Sequence, residues 1–175
     1  MRYRRTHTPG ARYFFTVNLA DRCNTLLVDH VDVLREVTRR VKQSHPFIID
    51  AVVILPDHLH AIWKLPQRDA DFPMRWNLIK AGFSRALARD EAVSKSRWEK
   101  SERGIWQRRF WEHLIRDEED FERHVNYMHY NPVKHGHVSR PVDWAFSSIH
   151  RYIENGILPA DWAAGDDIDG SMGER

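Results

Sequence analysis

Leu55-Pro56-Asp57-His58-Leu59-His60 ends one apolar run and begins another. Phe47-Ile48-Ile49-Asp50-Ala51-Val52-Val53-Ile54 stands before it, and Ala61-Ile62-Trp63-Lys64-Leu65 follows. Both runs are rich in β-branched and aromatic residues, and Pro56-Asp57 is a turn pair, so the stretch predicts two strands joined by a tight turn. Side chains alternate along a strand, which sends His58 and His60 to one face and Leu59 to the core. Two imidazoles about 7 Å apart on one strand face can converge on one divalent metal. The plainer reading is chance, since 11 histidines in 175 residues make such a pair easy to reach.

Outward from this hairpin the pattern supplies the remaining elements. Tyr13 to Leu19 is rich in strand formers and predicts a first strand. Asp29 or Asp32 caps a helix to about Gln43, with Val33, Val37 and Val41 recurring every fourth residue until Pro46 forces an exit. A second helix from Pro73 to about Arg89 turns Leu78, Phe83 and Leu87 inward, and Arg75, Lys80, Arg85 and Arg89 outward. Asp90 to Gly104 is polar and reads as a mobile linker, and Ile105 to Ile115 alternates as a fourth strand. A third helix runs from Asp117 to about Tyr130, its acidic first turn suited to the helix dipole. Pro132 then stops it, leaving Asn131 in the last turn. Ser147 or Ser148 caps a short helix through Tyr152.

This order gives an α+β, ferredoxin-like, four-stranded antiparallel sheet with helices on one face, plus a C-terminal helical extension. The first and third strands are central, so the open face at His58 and His60 is free to meet the third helix. The length suits one domain over residues 1–162. Residues 163–175 read as an acidic, disordered tail. No apolar run approaches the roughly 20 residues of a membrane span. The basic N-terminus is followed by no apolar signal region, and Cys23 stands alone, which together point to the cytoplasm and exclude a Cys-rich zinc module.

Formal net charge is only +2, but residues 161–175 carry −4 and leave +6 on residues 1–160. That basic body also holds every Tyr and Phe, and cations interleaved with rings suit single-stranded nucleic acid. Arg2, Arg4, Arg5, Arg12 and the Arg108-Arg109 pair are candidates for backbone contacts. On the third helix Phe121, Val125 and Met128 form an apolar stripe, while Asp120, His124, Tyr127 and Asn131 share another. If Asn131 lends its amide oxygen to a metal held by His58 and His60, the Tyr127 hydroxyl stands one turn away over the same site. Two imidazoles and an amide leave positions that Mg²⁺ or Mn²⁺ fills with water and a phosphate oxygen. A tyrosine near its ordinary pKa of about 10 is a poor nucleophile, so proximity to a cation and a base must activate it.

Pro56 to His60, Gly104 to His113, and Asn126-Tyr127-Met128-His129-Tyr130-Asn131-Pro132-Val133-Lys134-His135-Gly136 together resemble the REP-associated tyrosine transposases, single-tyrosine HUH enzymes. The resemblance runs in order from about Arg12 to Trp162. It implies a metal-dependent endonuclease and strand transferase, with His58 and His60 as ligands and Tyr127 as the nucleophile that joins the 5′ phosphate of cleaved single-stranded DNA. Relatives carry Gln where this chain has Asn131 as third ligand. Tyr130 is the competing nucleophile. The implied substrate is a repetitive extragenic palindrome folded as a hairpin, met at the nucleoid, and the resemblance leaves monomer and homodimer open. A catalytically silent hairpin-binding module and a metal phosphohydrolase with a water nucleophile are the alternatives; neither requires Tyr127.

Overall fold

The computed structural model describes residues 7–89, 95–99 and 103–163, so Arg2, Arg4, Arg5 and most of the acidic tail lie outside the described residues. Strands β1 (Arg12–Asn18), β2 (Ile48–Ile54), β3 (His58–Lys64) and β4 (Trp111–Leu114) form one antiparallel sheet in the order β2-β3-β1-β4. The hairpin closes where Leu55 N–H donates to the His58 carbonyl, with Pro56 and Asp57 at the two turn positions. Helices α1 (Leu26–Asp29), α2 (Val31–Ser44), α3 (Phe72–Ala86) and α4 (Lys95–Trp98) precede β4, and α5 (Glu118–Lys134) and α6 (Ile149–Glu154) follow it. Sheet and helices make the α+β architecture that the hydrophobic pattern predicts.

Strand alternation divides the apolar residues into two cores. Phe15, Val17, Leu59, Ala61 and Trp63 face α2 and α3, which contribute Leu34, Val41, Phe72, Trp76, Ile79 and Phe83. At the α2–α3 contact Gly82 is needed because a Cβ there would lie 2.7 Å from Val37 Cγ1. The expectation of helices on one face describes α2 and α3. Helix α5 covers the other face, where Val125, Tyr127 and Met128 pack on Phe14, Ala51, Val53 and Ile62. The C-terminal extension seals the outer edge of β2: Ile54 N–H donates to Phe146 O, Ser148 N–H to Val52 O, and Val52 N–H to Ser148 Oγ.

Three sequence expectations change here. The fourth strand is shorter than Ile105 to Ile115: Trp106 bridges Leu19 and Trp111 pairs with Thr16, so five steps along this segment answer three along β1. The surplus residues leave the ladder, carrying Arg108 to Ser96 and Phe110 onto Phe15 and Phe72. Pro132 lies inside α5 and does not stop it. The stop is Gly136 at φ +72°, with His137 N–H donating to Pro132 O and Gly136 N–H to Val133 O, a Schellman end.

Arg75, expected outside, is 1% exposed. Its guanidinium donates to the carbonyls of His45, Pro46 and Asp71 and to Asp69 Oδ2, pinning the α2–β2 turn to the start of α3. A planar fork of five donors suits this junction. Arg75→Leu is expected to cost about 3 kcal/mol in urea unfolding, because three carbonyls and a carboxylate lose their donor. A loss near zero would contradict this account.

Candidate active site

Register places His58 opposite Asn18 and His60 opposite Thr16, on the sheet face that α5 covers. Both imidazoles are buried, with ring centroids 5.0 Å apart. His58 Nδ1 lies 2.8 Å from Asp57 Oδ1, and Asp57 also pairs with Arg22. A carboxylate at that distance fixes the proton on Nδ1 and leaves the buried Nε2 as the lone-pair nitrogen. His60 Nδ1 lies 3.0 Å from Thr16 Oγ1, so its Nε2 is likewise the inward nitrogen. Burial, with His60 beside it, pushes the His58 pKa down to about 4 against the pull of Asp57, so the ring is neutral at pH 7. For Asp57 burial works upward, but hydrogen bonds from His58 and Arg22 outweigh it and hold the carboxyl below its usual range.

Helix α5 brings three successive turns over this pair. The Tyr127 ring lies 5.5 Å from His60 and 6.2 Å from Phe14, and His135, just past the helix, lies 5.2 Å from His58. Asn131 sits between them, four residues from each, and is fully buried. Neither Asn131 Oδ1 nor Nδ2 has a hydrogen-bond partner among the described residues. An orphaned amide beside two imidazoles is a costly arrangement for a plain core and a fitting one for a cation, because oxygen and imidazole donors suit Mg²⁺ or Mn²⁺. Lys134 Nζ stands 5.0 Å from the Tyr127 ring centroid, adding positive charge beside its hydroxyl-bearing ring. Lys134 is two turns beyond Tyr127, a relation hidden when Pro132 is read as the helix end.

A second cluster lies toward the start of α5. His113, Asp120 and His124 offer ligand atoms within 4.8 Å of one another. Their rings stack at 4.5 Å and 18°, however, so the in-plane lone pairs do not converge on a common point. Asp120 already accepts from Arg116 N–H and Nε and from His113. Burial opposes ionisation, but these donors hold its carboxyl well below the usual range. The geometry fits a latch between β4 and α5 better than an ion site.

Among the arginines expected to meet DNA, Arg108 and Arg109 are exposed beside the sheet edge. Arg12 stands at the far end of β1 from Asn18, tied to Asp50 at 3.0 Å and Glu118 at 3.4 Å with its guanidinium over Phe121. That pairing makes it a fastener between β1, β2 and α5. Tyr130, the other tyrosine of α5, is half-buried.

The buried histidines have a pH consequence. His129 is pushed by burial down to about 3, with Arg151 and His150 adding to the shift. Unfolded imidazoles titrate near pH 6.5, so the unfolded chain binds more protons than the native one as pH falls below that value. Stability is therefore full above about pH 6.5 and declines from there toward pH 4, by up to ~1.4 kcal/mol per pH unit for each of His58 and His129. Urea midpoints at about pH 7.5, 6 and 5 should fall in that order; a flat series would contradict the burial of both as neutral rings.

No family model matches the chain. It is 45% identical over 173 residues, covering 99% of this chain and 96% of the relative, to the REP-associated tyrosine transposase of Escherichia coli K12. It is 42% identical over 167 residues, 95% of each chain, to a Haemophilus influenzae protein given the same name provisionally. Among solved structures, a REP-associated tyrosine transposase bound to a REP hairpin superposes with a TM-score of 0.85 at 44% identity, covering 100% of this chain and 98% of that one. None of the helices among the described residues is long and apolar enough to cross a membrane.

Proposed function

The chain belongs to the REP-associated tyrosine transposases, and on that premise we propose that it cuts and rejoins single-stranded DNA beside palindromic hairpins through a phosphotyrosine at Tyr127. The observation that carries this reading is the Tyr127 ring against the buried His60 of the same chain, with the orphaned Asn131 amide one turn on. The hairpin-bound relative supports the palindromic partner.

His58, His60 and Asn131 would hold a divalent cation, Mg²⁺ or Mn²⁺. When bound, it supplies charge neutralisation and polarisation of the phosphodiester. Asp57 and Thr16 keep the two imidazoles in the ligating tautomer. Tyr127 Oη attacks phosphorus, forming the Oη–P bond as the P–O3′ bond breaks. The proton released from Tyr127 Oη and the one taken up by the leaving O3′ pass through solvent water, and that strand departs with a free 3′ hydroxyl. The phosphotyrosine ester conserves the bond energy, so attack by a 3′ hydroxyl reseals DNA without ATP. Lys134, with its Nζ 5.0 Å from the Tyr127 ring centroid, would offset the negative charge that develops there.

The Tyr127 ring lies against His60 of the same chain, which supports a site formed within one protomer. We assign residues 1–162 to this single domain, acting on chromosomal DNA in the cytoplasm, with the acidic residues beyond as a tail. The test is a labelled single-stranded palindrome incubated with protein and Mn²⁺ and resolved on a denaturing gel. A protein-linked label that EDTA prevents supports the reading. Hairpin binding with no such label would leave a silent binder, and turnover without an adduct would point to a water nucleophile.

A further inference from the structure

Trp111 opens β4 and is 47% exposed, whereas most large rings of this fold are buried. Its indole is parallel within 12° to the His113 ring at 5.9 Å, and His113 is parallel within 18° to the buried His124 at 4.5 Å. Three near-parallel rings thus form a column that starts on α5 and ends in an indole open to solvent. Phe14 meets that indole edge-on at 5.7 Å and 70°, which holds it upright on the sheet.

The column stands beside the chemistry. Trp111 pairs with Thr16 and Thr16 with His60, so all three occupy one cross-strand row on the face that α5 covers. Two strand spacings put the Trp111 backbone about 10 Å from that of His60. We propose that Trp111 is the stacking platform for a nucleobase of the single strand adjoining the phosphate at Tyr127; this rests on the single-stranded-DNA reading above. A flat π face accepts any base, and the exposed Arg108 and Arg109, three and two residues before it, supply charge for the backbone. A protein partner fits less well: the other large exposed apolar residues among those described are Ile48 and Ile157, and Ile48 lies on the opposite edge strand, so Trp111 belongs to no continuous apolar patch with it.

The experiment compares a palindromic hairpin carrying single-stranded flanks with the same hairpin cut blunt, using wild type, Trp111→Leu and Trp111→Tyr. 2-Aminopurine is walked through the flanks. Trp111→Leu is expected to weaken binding of the flanked hairpin roughly 5- to 100-fold and leave the blunt one unchanged, while Trp111→Tyr retains most of the affinity. In wild type one flank position should show quenched 2-aminopurine, and Trp111→Leu should release it. Equal affinity of wild type and Trp111→Leu for the flanked hairpin, or an equal loss on both DNAs, overturns the platform alone. If wild type gains nothing from the flanks, the single-strand reading fails and the platform with it. Unchanged thermal unfolding of Trp111→Leu verifies that the variant is folded, as expected for an exposed position.

Discussion

Tyr127→Phe is expected to lower covalent DNA-adduct formation by at least ~10³-fold, into the background of the assay, while hairpin binding and thermal stability stay as in wild type. The change removes one oxygen and keeps the ring that fills the space between His60 and Phe14, so it opens no cavity. Tyr130→Phe is the matched control. Tyr130 lies three residues on, about 60° around the helix from Tyr127. Its adduct should form at the wild-type level. An adduct that persists in Tyr127→Phe and vanishes in Tyr130→Phe would transfer the nucleophile; loss in both would require a second role for Tyr130 in presenting the DNA.

Much of this arrangement is legible in the amino-acid order, for definite reasons. The period of two around Pro56-Asp57 needs no tertiary information to put His58 and His60 on one face, and the register with Asn18 and Thr16 agrees with it. The pairing order of the four strands follows from the split arrangement. What the pattern hides are effects that depend on distant partners. Arg75 looks like a surface cation because charge is costly to bury, yet three carbonyls and Asp69 converge on it from segments 4 to 30 residues away. Nothing local to Arg75 announces them.

Pro132 misleads differently. A proline removes one helical N–H and crowds the preceding turn, but a helix that has only its final turn left can absorb that loss and still end at Gly136. The extra turn matters for the proposed chemistry, because it carries Lys134 over Tyr127 and sets His135 against His58. Likewise the shortening of β4 comes from Phe110 being drawn to the aromatic core on the α3 side, a tertiary pull that alternation cannot register. The same departure from regular strand leaves Trp111 as the first residue of the short β4, in the cross-strand row that includes His60.

His60→Ala should lower Mn²⁺ affinity by at least ~100-fold in calorimetric titration, and Asp57→Asn, which keeps the ligands but removes the charge behind His58, by about 10- to 100-fold. The ordering follows from the geometry: His60 would supply a ligand atom itself, whereas Asp57 acts through the Nδ1–H of His58. His60 is fully buried and stacks on Phe14 at 5.4 Å, so its truncation also costs about 2 kcal/mol of packing, and thermal unfolding must be measured beside each titration. Asn131→Gln should retain binding, since it presents the same amide, while Asn131→Leu should weaken it and stabilise the apoprotein by removing two orphaned polar atoms. His113→Ala discriminates the two clusters. If the stacked His113, Asp120 and His124 held the ion, His113→Ala would abolish binding and His60→Ala would leave it intact. The converse result is expected, because convergence of lone pairs, more than proximity of rings, decides where a cation binds.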